Sequence, residues 1–491
     1  MSNLTSRRSF LRGAAAFGLA GGTAGLLADK AFAEIGGNLN APGAGGVNGG
    51  PYNVLEIFLK GGLSPWETLW VDPNLPASLT HLSEAANLNW NTLVSDGGTV
   101  STDFIDQTPL GVADFAKYPL TGGINLGPSC TPLVYADLVK HTRVIAVQHE
   151  LLPHPAAIPY SLSGSRLGRP QRSGLGAAIS RRHHPGGPTG KPASIILHDH
   201  ADDFLEHALA TGFHGAAHTP LAIRVGDGTF ADSLLRSAHA TPAEDHLRTL
   251  FRNDYDGLLT HATGRVRAPH FDAYDASLGY LLRAEADLYP LFNGLPLTYP
   301  ADLTYADGQT TTAILAAFDL LADAAVHYTC VIDQGLNKTY DSHDNTVNSP
   351  QKHAEVQCCN LWSVMYALAQ AKIAGTFDPT NTLVFINTEF GRKEKNGGNG
   401  SEHNPYGYVN MLIGPNAASL AGTAVGTIDT NARAGGDYTT TAVRAAVALA
   451  AGIDPWQDDM YDIAMCGNAL TAGMSEQQRN DVLRTQILGV S

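Results

Sequence analysis

The sequence predicts an α/β protein, a three-layer α/β/α sandwich around a mostly parallel central sheet. Three observations lead there. Short apolar, β-branched runs recur along the chain, helical patterns fall between them, and clusters of Gly, His and acidic residues follow several of the runs. Strands buried on both faces read as unbroken apolar stretches, which is what helices on two sides of a parallel sheet produce. In such a sheet, ligands gather at the carboxyl ends of the strands.

Taken in order, residues 54–59 (VLEIFL) form the first strand, ended by Lys60-Gly61-Gly62. Residues 72–128 are rich in Asn, Gly, Thr and Pro and read as long loops and short helices at a sheet edge. Strands follow at 143–147, 194–197 and 221–225, with helical patterns at 173–182, 242–261, 270–291 and 311–325. A further strand at 326–332 precedes a long helix at 354–374. The run 382–386 is the next strand, 408–413 another, and the tail supplies helices at 439–451 and 475–488. Residues 51–491 therefore make one domain, in which the helix-rich segment near 230–325 could be an insertion. A Gly/Asn-rich linker, 34–50, precedes it.

Residues 1–33 read as an export signal rather than as part of the fold. Ser6-Arg7-Arg8-Ser9-Phe10-Leu11-Arg12 is a twin-arginine motif, AAAFGLAGGTAGLL is a short apolar segment, and Ala31-Phe32-Ala33 offers small residues at a cleavage site. The apolar segment is too short and glycine-rich to span a bilayer comfortably, which argues against stable membrane insertion. The expected partner during export is the twin-arginine translocase, and the destination is periplasmic or secreted. Of 31 basic and 46 acidic residues, Arg7, Arg8, Arg12, Lys30 and Asp29 leave with the signal, so the mature chain carries a formal charge of −18. Such a surface excludes nucleic acid and anionic membrane as natural partners. An anionic substrate stays open, because a metal or an arginine can reverse the field inside a cleft. Five cysteines, without a CxxC pair, read as buried structural thiols.

Four clusters could carry chemistry. Gly61-Gly62-Leu63-Ser64 is either an ordinary turn or a loop passing close to a ligand. Gln148-His149-Glu150 to His154 places two imidazoles near a strand end, weak evidence in a chain of 19 histidines. Tyr340-Asp341-Ser342-His343 holds an Asp-x-His pair that either binds an ion or caps a helix. The last is NTEFGRKEKNGGNGSEHNP, where Glu389 ends a strand, Arg392 follows, and Glu402-His403 return after a glycine-rich loop. Arg392 offers a planar fork for phosphate or sulfate oxygens, or pairs with Glu389 or Glu394. Each cluster is ambiguous alone; strand ends repeatedly followed by acid and His favour a metal site.

TEFGR followed by EHNP, with the early Gly-Gly, the later Asp-x-His and HELLPHPAAIPYSLSGSRLGRP, resembles the domain of unknown function 1501 family over about residues 53–455. That family is grouped with alkaline phosphatases and sulfatases, so the resemblance implies an alkaline phosphatase-like fold. It also implies that Glu389 replaces a ligand aspartate and that Phe390 stands where a ligand histidine would be. His403 would be the later histidine, and Asp341 with His343 the remaining pair. His154 lies ten residues before Gly164 of Ser163-Gly164, the place of a sulfatase nucleophile, and Ser64 falls on a family serine or aspartate position.

The expectation is an exported hydrolase of phosphate or sulfate esters, or related anionic groups, with one divalent metal (zinc, calcium, magnesium or manganese). Asp341, His343, Glu389, His403 and Glu402 are the candidate ligands, His154 and Arg392 the catalytic candidates, and Ser64 a substrate contact. The alternative is a non-catalytic secreted binding or scaffold protein, for a polysaccharide or another partner, on a decayed phosphatase-like fold.

Overall fold

The computed structural model describes residues 52–72, 74, 85, 118–165, 174–183, 194–198, 221–224, 253, 309–335, 340–343, 350–394, 400–414, 422–456 and 460–490. The export signal, the linker and most of the 230–325 segment lie outside the described residues. In chain order the elements begin β1 (Asn53–Leu59), β2 (Tyr118–Pro119), β3 (Asn125–Leu126), α1 (Thr131–Tyr135) and β4 (Thr142–Val147). Next come α2 (His154–Ser163), α3 (Leu175–His183), β5 (Ser194–His198), β6 (Leu221–Arg224), α4 (Gln309–Leu321) and β7 (Tyr328–Asp333). The remainder are α5 (Pro350–Ala374), β8 (Thr382–Thr388), β9 (Gly391–Glu394), β10 (Ser401–Asn404), β11 (Tyr408–Ile413), β12 (Thr423–Val425), α6 (Thr440–Ala450) and α7 (Glu476–Val482).

Eight strands form the central sheet in the order β12-β4-β11-β8-β1-β7-β5-β6. Every neighbouring pair is parallel except the two that β11 makes, with β4 and with β8. Side chains alternate across this sheet, so each strand feeds two cores. Leu55, Ile57 and Leu59 of β1, with Val384 and Ile386 of β8, pack into one core with α4 and α5. Val54 and Phe58, with Leu383 and Phe385, pack into the other with α2, α3 and α6. Two buried faces explain why these strands lack polar alternation, and the expected three-layer α/β/α architecture is what forms.

Strands β1 and β8 each carry a buried polar side chain whose hydrogen bonds are made. Glu56 in β1 is fully buried and receives Arg444 of α6 on both oxygens, at 2.5 and 3.0 Å, as well as the Tyr328 hydroxyl at 2.7 Å. Asn387 extends β8 two residues past the apolar run. Its Nδ2 donates to Ser161 O at 2.7 Å, and its Oδ1 accepts from Asn410 Nδ2 at 2.9 Å and from the Thr388 amide. Buried polar groups are tolerated when their hydrogen bonds are made, so the strand runs on to residue 388.

The segment read as a glycine-rich loop is bounded by a β-hairpin. Strand β9 pairs antiparallel with β10, placing Arg392 opposite His403 and Lys393 opposite Glu402. The five cysteines carry free thiols. Among the described residues no helix is long and apolar enough to cross a membrane.

Candidate metal centre

The carboxyl ends of β1, β4, β7 and β8 converge on one place. From β1 comes Gly61-Gly62, from β8 Glu389, from the loop after β7 Asp341, and from the segment after β4 His149 and His154. The hairpin β9–β10 adds Arg392 and His403. His154 opens α2, with Pro155 in the first helical turn, where a missing N–H costs nothing; Gly164, left-handed at φ 71°, ends the helix. The helix start thus fixes where the imidazole stands.

His154 lies between two carboxylates. Its Nδ1 is 2.6 Å from Glu389 Oε2 and its Nε2 is 3.2 Å from Asp341 Oδ2. Ionised carboxylates only accept, so both ring nitrogens donate and the metal-free ring is an imidazolium. Burial works against that charge, but the hydrogen bonds to Asp341 and Glu389 outweigh it, and its pKa is pushed up to about 9. Burial likewise opposes the Asp341 carboxylate, yet His154 and Arg392 hold its pKa well below the usual range.

Arg392 is wholly buried and grips the other side of Asp341, with Nη2 2.7 Å from Oδ1 and Nε donating to Gly61 O at 2.8 Å. Its ion pair is with Asp341, inside the protein, rather than the surface pair the sequence also allowed. Glu389 is also fully buried, with Oε1 accepting the Gly61 amide and Oε2 facing His154. Its carbonyl takes His149 Nε2 at 2.6 Å and the Ser161 hydroxyl at 3.2 Å. The Leu151 amide donates to His149 Nδ1, which fixes that ring as the neutral Nε2–H tautomer.

His403 has a different state. Its Nδ1 lies 2.8 Å from Leu152 O, and a carbonyl can only accept, so the proton sits on Nδ1. Its Nε2 therefore bears a lone pair, is buried, and has no hydrogen-bond partner. Burial, with Arg392 and His154 nearby, lowers its pKa to about 4 and keeps the ring neutral. One ligand atom each from His154, Asp341 and His403 lie within 4.8 Å of one another. An unpartnered imidazole lone pair facing a carboxylate and a second imidazole fits a divalent ion, and a ligand histidine donating its other N–H to a carbonyl is the usual supporting arrangement.

The other sequence candidates stand around this group. His343 is exposed, its Nδ1 2.9 Å from Ser401 O and its ring centroid 4.8 Å from that of His403. Phe390 is buried and stacks on His403, the ring centroids 4.3 Å apart. Glu402 precedes His403 on β10, and strand alternation turns it to the opposite face. Ser64 is buried, its hydroxyl donating to Glu67 and its amide to Gln357 at 2.9 Å. Sequence reasoning missed Leu152 O and Ser401, which carry no signal because their backbone or small side chains do the work. Gly61 and Gly62 were legible: both have positive φ, and a Cβ on Gly61 would stand 2.1 Å from Asp341 N.

An α/β/α sandwich with a two-imidazole, one-carboxylate group at its strand ends is the class of protein that fold and site define. The chain belongs to the family described as Protein of unknown function (DUF1501), which matches residues 52–458. Among solved structures it is similar to the alkaline phosphatase from the Antarctic bacterium TAB5, at 11% identity over 76% of this chain and 94% of that one, TM-score 0.29. It is also similar to Ps i-CgsB, at 12% identity over 89% and 76% respectively, TM-score 0.30. The architecture rests on the sheet order rather than on these likenesses. No curated protein matches the chain.

Proposed function

We propose that this protein is an exported hydrolase of phosphate or sulfate esters, or related anionic groups, working at a reduced site with a single divalent metal. The observation that carries the reading is the buried, unpartnered Nε2 of His403, beside Asp341 and His154. A divalent ion held there supplies Lewis-acid polarisation of an ester oxygen and acidification of water. Asp341, His154 and His403 are the holding residues. Glu389 orients His154 by accepting its Nδ1–H, and Arg392 fixes Asp341. With its guanidinium committed and buried, Arg392 acts on the carboxylate rather than on substrate. His343, exposed at the rim, is placed to exchange a proton with a leaving group or to complete the ligand set. Glu402 and Ser64 stand outside these roles. Export rests on the twin-arginine motif alone.

The test is metal content followed by turnover. Protein purified after export should retain near-stoichiometric divalent metal, His403→Ala should lose it, and aryl phosphate and aryl sulfate panels should identify the ester class. Well-folded wild type that is free of metal and indifferent to added ions overturns the proposal. Phe390 favours a second reading, a binding protein on a decayed site; metal retention without any turnover, alongside co-purification of one partner, would support it.

A further inference from the structure

We propose that Gln357, in the middle of α5, is a positioning residue of this centre: its amide sets where Asp341 stands relative to the turn after β1. Gln357 is fully buried. Its Nε2 donates to Tyr340 O at 2.7 Å and reaches Gly62 O at 3.5 Å, while its Oε1 accepts the Ser64 amide at 2.9 Å. One side chain thus joins the two loops that bear Gly61 and Asp341. Tyr340, immediately before Asp341, is held at its other ends too: its amide donates to Lys60 O at 3.1 Å and its hydroxyl to Asp333 Oδ2 at 2.8 Å. With amide, carbonyl and hydroxyl all tied, Tyr340 leaves Asp341 little freedom.

The layers give this clamp its meaning. His154 is carried by α2, on one face of the sheet, and Gln357 by α5, on the other. The Asp341–His154 contact of 3.2 Å therefore depends on both layers, and α5 reaches the Asp341 loop through two side chains: Gln357, on Tyr340 O before Asp341, and His353, on the Ser342 hydroxyl after it. Only an amide of this length both donates to Tyr340 O and accepts from Ser64 N. Glutamate keeps the size and the acceptor but turns an acceptor toward Tyr340 O. Methionine removes both bonds at similar volume.

This inference deepens the metal-site reading, and two measurements keep them separable. In metal-free protein, proton NMR should show His154 Nε2–H, facing Asp341, and Nδ1–H, facing Glu389, as distinct downfield signals. Gln357→Glu and Gln357→Met should shift or broaden the Nε2–H signal while changing the Nδ1–H signal less. Zinc titration should then show affinity weakened about tenfold or more, the scale of lost supporting contacts around a metal. Leu361→Val, a core change in the same helix, should lower the melting temperature and leave both readouts at wild-type values. Folded Gln357→Glu with unchanged His154 signals overturns the inference. Wild type that binds none of zinc, calcium, magnesium and manganese overturns the hydrolase reading instead, and the imidazole signals then decide the role of Gln357 by themselves.

Discussion

Glu389 Oε2 lies 2.6 Å from His154 Nδ1, and Glu389 has no exposed surface. The glutamate that ends β8 is therefore spent on orienting a histidine of α2 and on the Gly61 amide. In the proposed centre it stands behind His154, outside the group His154, Asp341 and His403.

Glu389→Gln tests that role. The amide can present its oxygen to only one of its two donors, so Nδ1 of His154 or the Gly61 amide loses its acceptor. Metal affinity should fall by about 10–100-fold, as it does when a carboxylate behind a ligand histidine is removed. Isothermal titration with the purified variant measures it; wild-type affinity would show that Glu389 does not support the ligand.

The metal-free protein should have a characteristic pH response. The His154 pKa is raised from its unfolded value near 6.5 to about 9, because its hydrogen bonds to Asp341 and Glu389 overcome burial. A raised pKa contributes stability that is complete below the unfolded value and lost as pH rises through about 9. Asp341 has the opposite sign: its lowered pKa contributes stability above the unfolded carboxylate value, lost as pH falls below it. His403, lowered to about 4, withdraws stability as pH falls from 6.5 toward 4. Denaturation midpoints across pH 4–10 should therefore peak below the alkaline limb, and Glu389→Gln should flatten that limb.

Chelation should lower the melting temperature of protein loaded with metal. A ligand present at 100 times its Kd stabilises the folded state by about 2.7 kcal/mol. His403→Ala should remove the difference between loaded and stripped samples, because the loss is specific to the centre. Calorimetry with and without chelator reads it directly.

Gly61→Ala should be far more damaging than its size suggests. The residue sits at φ 112°, and the added methyl would meet the Asp341 amide nitrogen at 2.1 Å. Backbone strain alone costs on the order of 1–3 kcal/mol, and the clash adds displacement of the Asp341 loop. Chemical denaturation should show the loss, accompanied by weaker metal binding; a neutral result would mean that the loops do not approach this closely.

Arg444→Met should cost about 3–5 kcal/mol by leaving Glu56 charged and buried without its partner. Replacing both residues with apolar ones of similar volume should recover much of that loss. Urea unfolding of the single and double variants separates the two outcomes.

Much of this protein was legible in its sequence, and each missed part has a physical reason. Seven of the eight strands of the central sheet were visible because burial on two faces forces an apolar run, and residues 408–413 were placed to the residue; β12, a three-residue edge strand only partly buried, was missed. Their direction was not visible: β11 runs antiparallel because the short β9–β10 hairpin returns the chain beside β8, and direction leaves no mark on composition. Residues 387–388 looked like a strand end because Asn387 is polar, but its partners Ser161 and Asn410 come from distant segments.

The centre divides in the same way. Chemistry at the level of residue type, acid and imidazole after strand ends, was written in the sequence, as was the need for glycine at 61 and 62. Which of these groups come together and which stand behind them was decided by tertiary structure alone. Glu389 and Asp341 are both carboxylates near His154, yet one is enclosed by β1 and α2 while the other stands at the opening, gripped by Arg392. Likewise, His154 and His403 are both imidazoles, but two carboxylates keep one protonated and a lone carbonyl leaves the other with a bare nitrogen. Sequence fixes which groups exist, and their protonation follows from neighbours that only folding across hundreds of residues brings within 3 Å.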